Sequence, residues 1–211
     1  MVQVSDTTVN IDLIKRAVLL AGRAPSLHNS QPWQWVIDGH ELQLYLDHSR
    51  IVRHTDNSGR EALISCGAAL DHLRVAAGAA GWRTFVDRHP DPDRPAHLAS
   101  IDFWPAEFVT AATRSRADAI LRRRTDRLPF LPPDELNVLL PALGHLIDSD
   151  RVRIEVLPEQ LLPQLSEAST LTEATRRYDA SYHSELDWWT SPFEFDQGIP
   201  RDLLNLSLIH I

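Results

Sequence analysis

The sequence predicts an α+β fold, an antiparallel-rich sheet flanked by helices, and three observations carry that expectation. Trp33, Trp35 and Ile37 alternate with other side chains up to Asp38-Gly39, and Leu42, Leu44 and Leu46 alternate again beyond it, the pattern of a β-hairpin. Leu63, Cys66, Leu70, Leu73 and Ala77 recur at spacings of three and four, the pattern of a helix with one buried seam. The 211 residues are 43% hydrophobic and 24% charged, the balance of an ordinary globular chain. Collagen-like, disordered and disulfide-scaffold classes are thereby excluded.

The elements follow in order. Asn10 caps a first helix in which Ile14, Val18 and Ala21 keep helical spacing until Gly22 and Pro25 stop it. The hairpin comes next, then the seam helix, capped by Asn57 or Ser58 and ending at Gly81. Strands at Thr84–Asp87 and Ala99–Trp104 flank a Pro- and Asp-rich loop from His89 to Pro95. A helix over 109–123 opens a second part, followed by a break at Pro129 and Pro132-Pro133, a helix from Asp134 and a strand over 151–157. An amphipathic helix with an internal Pro163 then covers 158–178. The segment from Tyr178 to Ile199 carries Tyr182, Trp188, Trp189, Phe193 and Phe195, the composition of a lid or docking surface. No short repeat period or heptad run occurs, which argues against solenoids and coiled coils.

Charge narrows the partners. With 21 basic and 29 acidic residues the chain carries −8, so its overall field repels nucleic acid and anionic membranes, and neither is an expected partner. Any anion site must be a local cluster. All basic residues but Lys15 are arginines, planar and always charged. One cysteine, Cys66, cannot form an intramolecular disulfide. No leading apolar stretch resembles a signal peptide or a span, and the expected location is cytoplasmic.

The stretch from Arg23 to Ile37, RAPSLHNSQPWQWVI, is a Pro-bounded loop between a helix end and a strand, rich in amides and hydroxyls. Its Asn and Gln side chains and backbone N–H groups can meet a planar heterocycle of alternating donors and acceptors, with Pro25 and Leu27 against an apolar ring face. A flavin fits that description; so does a polar loop whose Ser and Asn side chains only cap turns. A second cluster, RRRTDRLPF at 122–130, joins several guanidiniums to a hydroxyl at a helix boundary. Such a group can bind a terminal phosphate dianion. It can equally be a solvated basic helix end that favours the C-terminal dipole. His183 with Glu185, and His54 with Asp56, read as surface pairs, and Cys66 as a small buried hydrophobe. No H-E-x-x-H, C-x-x-C, G-x-G-x-x-G or G-K-[ST] occurs, so no metal, Rossmann or P-loop site is expected.

The string APSLHNSQPWQWVI resembles the flavin loop of the nitroreductase family, approximately SPS-x-x-N-x-Q-P-W before a strand, through Pro25, Ser26, Asn29, Gln31, Pro32 and Trp33. Arg123, Arg124, Thr125 and Arg127 are similar to that family's phosphate element R-R-S-x-R, with threonine for serine. The helix ISCGAALDHLRVAAGAAGW, 64–82, is similar to the Acg-like branch, whose single chain carries two nitroreductase-type repeats and imitates a homodimer.

The resemblance implies a nitroreductase-like fold built as an incomplete pseudo-dimer, with a first repeat at 1–108 and the start of a second at 109–211. It explains why the Arg element follows the loop rather than preceding it: one composite site forms between the repeats. It implies FMN, with Pro25, Ser26, Leu27, His28, Asn29 and Gln31 at the ring and Arg123, Arg124, Thr125 and Arg127 at the phosphate. NAD(P)H is the implied reductant and a nitroaromatic or quinone-like small molecule the electron acceptor. No side chain is required as general acid or base, so no catalytic residue is named. A full two-repeat protein would continue past Leu204 with further strands and a second alanine-rich helix, and residues 206–211 match nothing in the family; the chain is expected to be C-terminally truncated. Alternatives are a flavin-sequestering protein without turnover, closed by the aromatic segment, and a non-catalytic scaffold. The assembly is expected to be a monomeric pseudo-dimer or a homodimer.

Overall fold

A computed structural model of the chain describes residues 9–126, 131, 135–147 and 152–190. They fall into two compact units, one holding the residues up to Asp126 together with those from Ser181, the other the residues from there to Ala180.

In the first unit, α1 (Ile11–Ala21) begins where Asn10 Oδ1 accepts the Asp12 N–H at 2.9 Å, an N-cap that satisfies one of the helix's orphan donors. The strands β1 (Trp33–Asp38) and β2 (Glu41–Leu46) form the expected hairpin, closed by Gly39 at φ 62°. Glycine reaches that conformation at little steric cost. After α2 (Arg60–Ala79), β3 (Trp82–Arg88) and β4 (His97–Pro105) form a second hairpin. The sheet order is β1-β2-β4-β3, antiparallel throughout.

A register shift between Leu44 and Tyr45 in the β2–β4 pairing places Tyr45 opposite His97, where the two rings stack at 4.5 Å. The His97 ring in turn meets the Ser100 hydroxyl at 3.2 Å. The buried imidazole is thus held on the sheet face away from the core.

The core lies between the sheet and the helices. Ile14, Ala17 and Ala21 of α1 and Cys66, Leu70, Leu73 and Ala76 of α2 meet Leu42, Leu44, Leu98, Ala99 and Ile101. Cys66, Leu70, Leu73 and Ala77 of the expected α2 seam are buried; Leu63 is exposed, and Ala62, Ser65 and Ala69 widen the buried face on its other side. Small side chains suit that face because α2 packs against α1, α3 (Ala111–Arg122), β2 and β3 at once. At Gly78 an added Cβ would come within 3.3 Å of Thr113 Cγ2, so α3 lies close.

The α2 N-terminus also departs from expectation. Neither Asn57 nor Ser58 is its N-cap. Gly59 holds that position at φ 70°, and Asp56, buried rather than part of a surface pair, accepts the Ala62 N–H at 2.8 Å.

In the second unit α4 spans Leu136–Gly144 and α5 spans Leu162–Arg176. The strand expected over 151–157 is absent: the described residues from 152 to 158 form no strand, with Val152, Ile154 and Val156 exposed. Alternation makes a strand only where another strand can pair with it, and this unit offers none among its described residues. Pro163 is not internal; it lies in the first turn of α5, where a missing N–H costs nothing. Phe193 and Phe195 lie outside the described residues, as does Arg127. Among the described residues no helix is long and apolar enough to cross a membrane.

Leu73 has no exposed surface and touches sheet and helices alike. Leu73→Ala is expected to destabilise the first unit by about 2–5 kcal/mol, measured by urea denaturation.

Candidate functional site

The loop after α1 is tightly wound. Ser26 closes it twice: its carbonyl accepts the Asn29 N–H at 3.0 Å and its hydroxyl accepts the Gln31 N–H at 3.0 Å. His28, Asn29 and Gln31 have φ of 49°, 57° and 50°, the left-handed region that costs an ordinary residue of order 1–3 kcal/mol each. Such strain persists only where the surroundings impose it.

Here the surroundings do so at three points. The Arg50 Nη1 donates to the Ser30 carbonyl at 2.9 Å, Cys66 Sγ donates to the Pro32 carbonyl at 3.2 Å, and the Leu27 N–H reaches Ser65 Oγ at 3.4 Å. Ser65 in turn donates to the Glu61 carbonyl of its own helix at 2.7 Å. Burial pushes the Cys66 thiol up to about 12, so it stays protonated as a donor.

Beside the loop is a groove of about 530 Å³, walled by Pro25, Ser26 and Leu27 and floored by Arg60, Glu61, Ile64, Ser65 and Ala68 of α2. Its surface is mostly apolar, with Ile64 62% exposed although it sits on a helix with a full core face. Further along the same face of α2 a second cavity of about 260 Å³ is lined by Asp71, His72 and Val75, and by Arg116, Ala119, Ile120 and Arg123 from α3 and its end. Ile64, Ala68, His72 and Val75 follow helical spacing on one stripe.

The Arg element meets the loop here. Arg123 Nη2 donates to the Arg23 carbonyl at 2.9 Å, while Arg23 returns Nε to the Ile120 carbonyl at 3.4 Å and Nη2 to the Leu121 carbonyl at 3.3 Å. Arg123 Nη1 lies 3.5 Å from the Thr125 hydroxyl. Arg124 turns back, donating Nη1 to the Leu121 and Arg123 carbonyls at 2.8 Å each. In this geometry it caps the α3 C-terminus, one of the two readings its sequence allowed.

Of the sequence-predicted residues, then, Pro25, Ser26 and Leu27 line the groove, and His28, Asn29 and Gln31 form the left-handed bend beside it. Arg123, Arg124 and Thr125 are brought to the start of that loop. Arg127 lies outside the described residues.

Sequence reasoning missed Arg60, Glu61, Ile64 and Ala68 as the groove floor, and His72 in the second cavity. The available signal was Ile64 and Ala68, an apolar i, i+4 pair off the seam. It read Glu185 only as a surface partner of His183 and missed its contact with the turn before α2. The Glu185 Oε2 accepts the N–H groups of His54 and Thr55 at 2.9 and 3.1 Å, so the carboxylate docks α6 (Ala180–Trp189) onto the turn before α2. Tyr182 and Trp189 are buried, and Trp188 is half-exposed and edge-on to Trp189. Among the described residues no α6 side chain lines the groove.

No family model matches the chain. It is 55% identical over 199 residues to a Mycobacterium tuberculosis protein named "Putative NAD(P)H nitroreductase acg", a match covering 94% of this chain and 60% of that protein. Over nearly its whole length the chain is similar to an Acg-type nitroreductase. A second, uncharacterized M. tuberculosis protein is 50% identical over 91% of the chain and 57% of its own length. The chain thus spans about 60% of the length of the curated relatives it matches. Among solved structures, the nitroreductase family protein of Streptococcus pneumoniae superposes with a TM-score of 0.38 at 16% identity, over 63% of this chain and 90% of that one. A Desulfovibrio desulfuricans nitroreductase crystallised with FMN gives 0.42 at 15% identity, over 73% and 90%.

The one cysteine of the chain offers a check on the loop anchor. Cys66 is expected to resist a disulfide reagent at pH 8 in the native protein and to react fully in denaturant, read from thiolate release. Rapid native reaction would contradict its burial.

Proposed function

We propose that this chain holds FMN between the Pro25–Gln31 loop and the Arg-bearing end of α3, as part of an NAD(P)H-dependent oxidoreductase. The observation that carries the reading is the bond from Arg123 Nη2 to the Arg23 carbonyl. It brings together two motifs a hundred residues apart in sequence, each suited to one end of the same molecule.

The donor set fits the group. Pro25, Leu27, Ile64 and Ala68 give an apolar wall and floor against which a flat ring can lie, and Ser26, Asn29 and Gln31 lie in the bend at its edge. The imposed left-handed backbone holds that edge rigid before any ligand arrives, which lowers the ordering cost of binding. At the other end Arg123, Arg124, Thr125 and Arg127 would hold the phosphate. Arg124 retains donors beyond the one it gives to the helix carbonyls, and bidentate guanidinium contacts are the strong ones for phosphate. When bound, the flavin supplies the redox chemistry, taking two electrons from a reduced nicotinamide and passing them to a small organic acceptor of the nitroaromatic or quinone type.

The loop belongs to a first repeat over 1–108 and the Arg element to a second from 109. In that reading both halves of the site come from one chain, as a monomeric pseudo-dimer; pairing as a homodimer is the other arrangement. Arg123, Arg124 and Thr125 lie in the same compact unit as the loop.

The purified protein is expected to show a flavin absorption band, at the latest after incubation with FMN, that bleaches anaerobically with NADPH. A band that persists supports sequestration without turnover, and no band supports a non-catalytic scaffold. Arg124→Ala combined with Arg127→Ala is expected to weaken FMN retention by about tenfold or more with an unchanged far-UV circular dichroism spectrum. Undiminished flavin content would remove those residues from the phosphate site.

A further inference from the structure

The cavity between α2 and α3 contains a group that neither motif included. His72 lines it opposite Arg123. Among the described residues His72 Nδ1 and Arg123 Nε are both buried without a hydrogen-bond partner. Two buried polar nitrogens left unpaired are costly, and here they belong to side chains that line one cavity.

The surrounding charge is also unusual for this chain. Arg116 and Arg123 line the cavity from α3 and its end, Asp71 lines it from α2, and Arg23 reaches the end of α3 from the loop. Arg74, one turn from Asp71, faces it at 3.7 Å. Two guanidiniums thus line the cavity, Arg23 reaches in beside them, and Asp71, its lining carboxylate, is paired with Arg74, in a protein whose net charge is −8. Burial, then Arg123, lower the His72 pKa from its ordinary value; Asp71 opposes them and Arg23 adds to them.

We infer that His72 is a further phosphate-binding residue, joining Arg123 in the α2–α3 cavity to hold the terminal phosphate of a phosphomonoester. This deepens the FMN reading and rests on it for the ring end of the ligand. The stripe Ile64, Ala68, His72, Val75 then serves the whole molecule, with apolar positions under the ring and an imidazole under the phosphate. Without a ligand the neighbouring guanidiniums oppose protonation of His72. A phosphate dianion between His72 and Arg123 reverses that balance and favours the imidazolium, so binding takes up a proton and strengthens as pH falls from 8 toward the phosphate's own second ionisation near 6.

The test compares FMN with riboflavin, which has the same ring system and no phosphate, by fluorescence titration between pH 6.5 and 8. For the wild-type protein the ratio of FMN to riboflavin affinity is expected to rise as pH falls. His72→Gln is expected to lower that ratio about tenfold at pH 6.5 and flatten its pH dependence, with riboflavin affinity unchanged. An unchanged ratio and an unchanged profile would overturn the role of His72 while leaving the flavin reading intact. Binding of neither flavin by the wild type would instead overturn the flavin reading. In that case, or if His72→Gln does not fold, the wild-type His72 imidazole is titrated by NMR with and without inorganic phosphate at constant ionic strength. A raised His72 pKa in phosphate supports the inference, and an identical titration refutes it.

Discussion

Helix α2 is the constraint on which the rest of the first unit depends. One of its faces is nearly all small, with Ala62, Ser65, Cys66, Ala69, Ala76 and Ala77 buried beside Leu70 and Leu73. That composition lets α1, α3 and the sheet all approach one helix closely, because burial of many small surfaces replaces a few large ones. With that face fixed, the opposite stripe is fixed too. Ile64, Ala68, His72 and Val75 remain uncovered by core, and the loop after α1 and the end of α3 close over them to make two cavities in line.

The same helix accounts for the strained loop. Ser65 and Cys66 belong to the buried face, yet each reaches out to loop backbone, at the Leu27 N–H and the Pro32 carbonyl. With Arg50 on Ser30 they hold three consecutive-neighbourhood residues in left-handed conformations that isolated chains avoid. Core packing is thereby converted into a preset binding edge. The docking of α6 through Glu185 acts at the same, N-terminal end of the helix, holding the turn whose Asp56 binds the first turn of α2.

Arginine serves two roles in the candidate site, which explains why its sequence supported two readings. Arg23 and Arg124 bind helix-end carbonyls, the structural use, and Arg123 both joins the loop and lines the cavity. A guanidinium has five donors, so satisfying one or two carbonyls leaves others for an anion. The structural reading and the ligand reading are compatible in one side chain.

The sequence by itself determined what depends on local pattern. The first hairpin, the two strands around the His89–Pro95 loop, the caps and spacing of α1, the existence of α2 and α3 and the Pro25–Gln31 loop follow from periodicity, turn residues and a motif that fold locally, and the motifs also carried the resemblance to the nitroreductase family. Tertiary structure decided what depends on partners. Whether Val152, Ile154 and Val156 form a strand turns on a neighbouring strand that periodicity cannot supply. How wide the buried face of α2 is turns on the packing of α1, α3 and the sheet, so Ala62 at its edge is buried while Leu63, expected in the seam, is exposed. The meeting of Arg23 with Arg123, the place of His72 between α2 and α3, and Glu185 at His54 and Thr55 join residues far apart along the chain. Such contacts leave no trace in either segment alone, because their energy exists only once the helices have packed.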